Sequence, residues 1–113
     1  MTWEQVLQRN DIVDGDVETQ EDGYVYRSPI SGVEMRNGMV HFEAPWAARM
    51  EDGKWKNWPV YPLSVNASTS QPSDMGSGRI QFNMPFLGFG VIFPKGGSKL
   101  DPSKVEGLNL QEA

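Results

Sequence analysis

The 113-residue chain has the length of one domain. It contains no cysteine and a single histidine, which excludes disulfides, thiolate catalysis, cysteine-ligated zinc and any histidine cluster. Its net charge of −5 works against a partner held mainly through phosphate neutralisation.

The charge is uneven along the chain. Residues 1–22 carry seven acidic side chains against Arg9 alone, whereas residues 79–104 carry Arg79, Lys95, Lys99 and Lys104 against Asp101. An anion is repelled by the first stretch and mildly attracted by the second. No apolar run approaches the roughly 20 residues that a membrane span needs. The opening MTWEQVLQRND lacks the basic-then-apolar layout of a signal peptide. A cytoplasmic protein is the expectation.

Thr2 and Gln5 form a capping-box pair, and Trp3, Val6 and Leu7 fall on one face that Val13 continues. This predicts an amphipathic helix over residues 3–12, packed on a sheet as a lid and ended by Asp14-Gly15-Asp16. Strands are expected within residues 17–94. Val17–Thr19 begins one, and Tyr24, Val25 and Tyr26 are strand formers beyond the Asp22-Gly23 turn. Gly32–Arg36 and Met39–Ala44 flank Asn37-Gly38, the strongest hairpin signal in the chain. Trp46–Met50 reads as a continuation of the returning strand. Glu51-Asp52-Gly53-Lys54 is a turn, and Leu63–Asn66 a short strand. Residues 67–78, rich in Ser, Thr, Gln, Pro and Gly, predict a mobile loop.

Arg79–Pro94 is the cleanest strand stretch. Ile80, Phe82, Met84 and Phe86 alternate with polar residues or proline. A Leu87-Gly88-Phe89-Gly90 corner follows, and then Val91, Ile92 and Phe93. This is either a tight hairpin or one strand bent at the glycines. Residues 105–113 read as a tail, docked through Leu108 and Leu110 if held at all. One helix and about five strands make a mainly-β chain, a strongly bent sheet or small open barrel of the SH3-like, OB or Sm type.

The residues point away from catalysis. His41 has no imidazole partner. Glu34 and Glu43 are the one candidate carboxylate pair, across the Asn37-Gly38 hairpin, and nothing beside them separates their pKa values. The acids at 11, 14, 16 and 18 miss the calcium-loop pattern because Gly15 is misplaced. Gly88 and Gly90 lack the third glycine and the following helix of a phosphate loop. No enzyme activity, metal or cofactor is expected. The most suggestive cluster is Trp46, Arg49, Lys54, Trp55, Lys56, Trp58 and Tyr61. Exposed aromatics stack on bases while cations meet phosphates. Equally, large aromatics build cores and interfaces, and a chain this short needs them for its core.

Asp22-Gly23 is followed by Tyr26, Ser28, Ile30, Val33-Glu34 and Asn37-Gly38, and much later come Phe86-Leu87-Gly88, Phe89-Gly90 and Val91-Ile92. This series resembles the two motifs of the Sm/LSm family, whose fold is an N-terminal helix and a five-stranded, strongly bent sheet that closes into rings of subunits. The parallel covers most of residues 3–94, with an insertion between the motifs. Leu87 stands where the family carries Arg, and Gly38, beside Asn37, where it carries Asn. The resemblance implies a homo-oligomeric ring that binds single-stranded RNA or DNA. The candidate contacts are Arg36 and Asn37 in the hairpin, Lys54, Trp55 and Lys56 in the aromatic loop, and Lys95. The alternative is an assembly subunit without nucleic acid, its interface formed by Phe86, Phe89, Val91 and Phe93.

Overall fold

A computed structural model describes residues 1–60, 63–84, 88–97 and 99–108. Three two-residue turns set its local order. Asp22-Gly23, Asn37-Gly38 and Asp52-Gly53 all hold both central residues at positive φ. This is the turn geometry that matches the twist of a tight hairpin. They join β1 (Asp16–Glu21) to β2 (Tyr24–Pro29), β3 (Gly32–Arg36) to β4 (Met39–Glu43), and β5 (Ala47–Glu51) to β6 (Lys54–Trp58). Five further strands follow: β7 (Leu63–Asn66), β8 (Ser73–Asp74), β9 (Ile80–Met84), β10 (Gly88–Phe93) and β11 (Val105–Glu106).

The strands form two sheets among the described residues. An open eight-stranded sheet runs β11-β6-β5-β2-β1-β10-β9-β8, and a three-stranded sheet runs β3-β4-β7. The chain is mainly β with a short N-terminal helix, but it has more strands than the five expected, and its large sheet does not close. Two of the extra strands, β5 and β6, arise beyond Pro45. Trp46–Met50 does not prolong β4. A proline has no N–H to donate to a ladder, and beyond it β5 crosses to the other sheet, pairing Arg49 with Tyr26 and Ala48 with Arg27. The Arg79–Pro94 stretch is a hairpin, with β9 and β10 antiparallel. Phe86 and Leu87 lie outside the described residues.

Helix α1 spans only Trp3–Leu7, half the expected length. The chain beyond it turns so that the Asp11 carbonyl accepts from the Lys95 N–H at 2.6 Å. Ile12 is buried there in place of the expected Val13. Trp3 and Val6 of the helix join Val17, Ile80, Phe82, Met84 and Ile92 of the large sheet and Val40, Phe42 and Val65 of the small one in a single core. The helix therefore plugs the space between the sheets.

A second core lies on the opposite face of the large sheet. There Trp46, Ala48, Leu100 and Val105 pack together, with Trp55 and Leu108 against them. Of the expected tail, residues 105–108 are docked, through β11, which pairs in parallel with β6, and through Leu108 against the second core, while Leu110 lies outside the described residues. A 3-10 turn at Pro102–Lys104 leads into it, capped by Asp101, whose carboxylate accepts from the Ser103 N–H at 3.0 Å and from its hydroxyl at 2.8 Å.

Those bonds hold the Asp101 carboxyl below the ordinary carboxylate range. A lowered folded-state pKa contributes stability above the unfolded value, near pH 4, that is lost as pH falls through the lower, folded one. Acidification through that range is expected to lower the hydrogen-exchange protection of Ser103 and Val105, measured against the intrinsic rate at each pH. Asp101→Asn, which keeps the acceptor, should abolish the acid step.

Gly15 sits where the chain enters β1. A Cβ there would lie 2.1 Å from the Phe93 carbonyl oxygen, a backbone atom that has no side-chain freedom to yield. Gly15→Ala is expected to cost about 1–3 kcal/mol in chemical denaturation.

Candidate functional site

A hollow of about 470 Å³ opens between α1, the β3–β4 tip and the turn after β7. Each wall has a local cause. The helix start is held by its capping box: the Thr2 N–H donates to Gln5 Oε1 at 2.8 Å, and the Gln5 N–H donates to Thr2 Oγ1 at 3.2 Å. The hairpin tip is tied across, the Ala67 N–H donating to the Gly38 carbonyl at 2.9 Å. The turn is closed by Asn66, whose Oδ1 accepts from the Ser68 N–H at 2.9 Å and from its hydroxyl at 2.7 Å. Gln71 Nε2 donates to the Ala67 carbonyl at 2.8 Å. Trp3 stands behind them, its indole N–H donating to the Ser70 carbonyl at 2.6 Å.

The lining is amide and hydroxyl in character. Asn37, Asn66, Gln71, Thr2 and Ser68 contribute side chains, and Glu4 is the one titratable residue among them. Asn66 spends its carbonyl oxygen on Ser68, which leaves its NH₂ for other acceptors. Such a surface offers donors and acceptors without positive charge. It suits an uncharged or cationic ligand and repels phosphate.

The sequence-predicted contacts are spread over two sheets. Asn37 lines this cleft. Arg36, next to it, is ion-paired with Glu34 at 2.7 Å. Lys54, Trp55 and Lys56 lie on β6. Trp55 faces the second core, and Lys56 stands 3.8 Å from Glu51. Lys95 follows β10, 3.9 Å from Asp14. Glu34 and Glu43 do not face each other directly: the register sets Glu34 opposite His41 and Glu43 opposite Gly32, which makes them diagonal neighbours on one face. Among the described residues no group of three His, Asp or Glu could hold a metal ion.

The aromatic cluster divides by face. Trp46 and Trp55 are core. Trp58 and Arg49 meet on the other face, the Arg49 guanidinium 3.5 Å from the Trp58 ring centre and 3.9 Å from that of Tyr24. Arg49 also donates to Glu51 at 2.9 Å, which holds that carboxyl below the ordinary range. Tyr24 and Tyr26 complete this face; in the sequence they stand as strand formers, with Tyr26 in the Sm-like series, and not as part of the aromatic cluster. Their spacing of two along a strand was visible, but the pairing of β2 with β5 was not. Tyr61 lies outside the described residues. Of the expected interface, Phe89 is 61% exposed. Val91 and Phe93 are half-buried, with Arg27 4.6 Å from the Phe93 ring centre.

No protein-family model matches this chain, and no curated protein or solved structure matches it. No helix among the described residues is long and apolar enough to cross a membrane.

Proposed function

We propose that this protein is a binding module, without catalysis of its own, that takes an uncharged hydrogen-bonding ligand into the cleft between α1, the Asn37-Gly38 tip and the 66–71 turn. The observation that carries this reading is the cleft's lining, in which three amides and two hydroxyls converge and no cation is present. Ligand sites are concave, with a few placed polar groups and an apolar backing, here Trp3 and Met35. The cytoplasm is the compartment we assign to it.

The test is a panel of small amides, polyols, carboxylates, phosphates and amines, read by ¹H–¹⁵N spectra. Uncharged members should move the side-chain amides of Asn37 and Asn66, and Asn37→Ala should remove the effect. A panel in which only phosphates bind would overturn the reading.

A second reading is the Sm-like one: a homo-oligomeric ring that binds single-stranded RNA or DNA, or the same ring as an assembly subunit without nucleic acid. The Tyr24–Arg49–Trp58 contact favours it, since aromatic and guanidinium planes at a sheet surface are platforms for bases. Against it stand the carboxylates beside Arg36, Arg49, Lys56 and Lys95. Light scattering that gives a closed oligomer, with salt-sensitive oligonucleotide anisotropy, would favour this reading over the first. Binding lost in Lys54→Ala and Lys95→Ala would place the contacts.

A further inference from the structure

We infer that the outward face of β8, β9 and β10 carries a second site, a platform for the apolar face of a pyranose ring in an uncharged glycan. This site goes beyond the cleft, with which it shares Gln71, and rests on Phe89, Gln81 and Asn83, which the cleft lacks. Phe89 is its centre. At 61% exposure it is the most exposed large apolar side chain among the described residues. Register places Asn83 directly opposite it, and Ser73 directly opposite Gln81 on the next strand pair. Gln81 and Asn83 share one face because Ile80, Phe82 and Met84 between and beside them are buried on the other. Together with Gln71 these residues line a shallow hollow of about 260 Å³.

The chemistry of that lining is selective. It contains no charged side chain. The amides of Gln81 and Asn83 have no intramolecular partner among the described residues, so their donors and acceptors face solvent ready to exchange water for another polar group. A hydroxyl both donates and accepts, as a carboxamide does, so a polyol matches such a set where a phosphate or an ammonium does not. An aromatic face carries partial negative charge and attracts the C–H groups on one side of a sugar ring. A protein interface is the other use of an exposed aromatic. It needs an apolar centre with several large side chains, and among the described residues Phe89 is the one exposed aromatic of this hollow, beside the amides of Gln71, Gln81 and Asn83.

The platform is also held rigidly. Gly90, next to Phe89, has the Phe82 ring pressed against its backbone; a Cβ there would lie 2.5 Å from Phe82 Cζ. The Ser70 hydroxyl donates to the Asn83 carbonyl, which ties the neighbouring loop to β9.

The test titrates the full chain with cellotetraose, maltotetraose and chitotetraose at millimolar concentration. The readout is the side-chain amide signals of Gln81 and Asn83 in ¹H–¹⁵N spectra. At least one uncharged oligosaccharide should shift both signals. Phe89→Ala should weaken that binding by about tenfold, and Phe89→Trp should keep it. Because Phe89 is exposed, Phe89→Ala should fold as the parent does; Gln81→Ala and Asn83→Ala supply independent losses. Three outcomes would overturn the site: no shift with any of the three sugars, binding unchanged in Phe89→Ala, or a parent that self-associates in light scattering and becomes monomeric on that substitution.

Discussion

Trp3→Ala is expected to lower stability by about 3–5 kcal/mol, the cost of deleting a large buried aromatic. Trp3 is 2% exposed and meets two rings edge-on, Phe82 at 5.4 Å and Phe42 at 6.1 Å between centres. Its indole N–H also donates to the Ser70 carbonyl. The residue thus joins the helix, both sheets and the 66–71 turn at one point. Helix α1 has only five residues. Isolated helices below about 12–15 residues are marginal in water, so this one exists because Trp3 and Val6 are buried. Losing Trp3 should release the helix and with it one wall of the cleft. Urea unfolding measures the total, and hydrogen exchange at Val6 and Leu7 measures the local part. Trp3→Phe keeps most of the buried area and drops the hydrogen bond, so a smaller loss of about 1 kcal/mol is expected. A Trp3→Ala protein within about 1 kcal/mol of the parent would mean that the helix is held by other contacts.

Much of the fold is legible where the information is local. The three hairpin turns and the alternation along β4 and β9 are readable residue by residue. The Asp22-Gly23 turn even fixes distant partners: a two-residue loop there sets Glu21 opposite Tyr24, and the register then places Glu18 opposite Arg27. Several ion pairs were legible in the same way. Glu34 with Arg36 and Arg49 with Glu51 are two apart on a strand, hence on one face.

What was not legible is non-local. Nothing in Pro45–Met50 says that β5 will pair with β2 across the molecule, and that crossover builds the larger sheet. The second core depends on it, because Trp46 and Trp55 gain a floor only when residues 100–108 fold back over β6. The polar cleft escaped sequence reading for the same reason. Asn37 was visible as a turn residue, but Asn66 and Gln71 reach it only through the pairing of β4 with β7.

Asp16→Ala should be as costly as Trp3→Ala, for an electrostatic reason. Asp16 is fully buried. Its Oδ2 accepts from Arg27 Nη2 at 2.7 Å and from the Leu100 N–H at 2.7 Å. One oxygen therefore joins β1, β2 and the segment that carries the second core. Removing the carboxylate leaves the Arg27 guanidinium, 9% exposed, beside the more distant Glu18 at 3.5 Å. Truncating one partner of a buried pair costs about 3–5 kcal/mol, because the surviving guanidinium loses its nearest buried counter-charge. Hydrogen exchange at Leu100 should rise in step, since its acceptor is gone. Asp16→Asn keeps an oxygen for Leu100 and should lose less. The double variant Asp16→Ala with Arg27→Met decides what the pair is for. Apolar replacement of a whole buried pair is often neutral or stabilising, so the double variant should recover much of the loss while the Leu100 amide stays unprotected. Equal losses in the single and double variants would mean that the Leu100 bond, and not the ion pair, carries the energy.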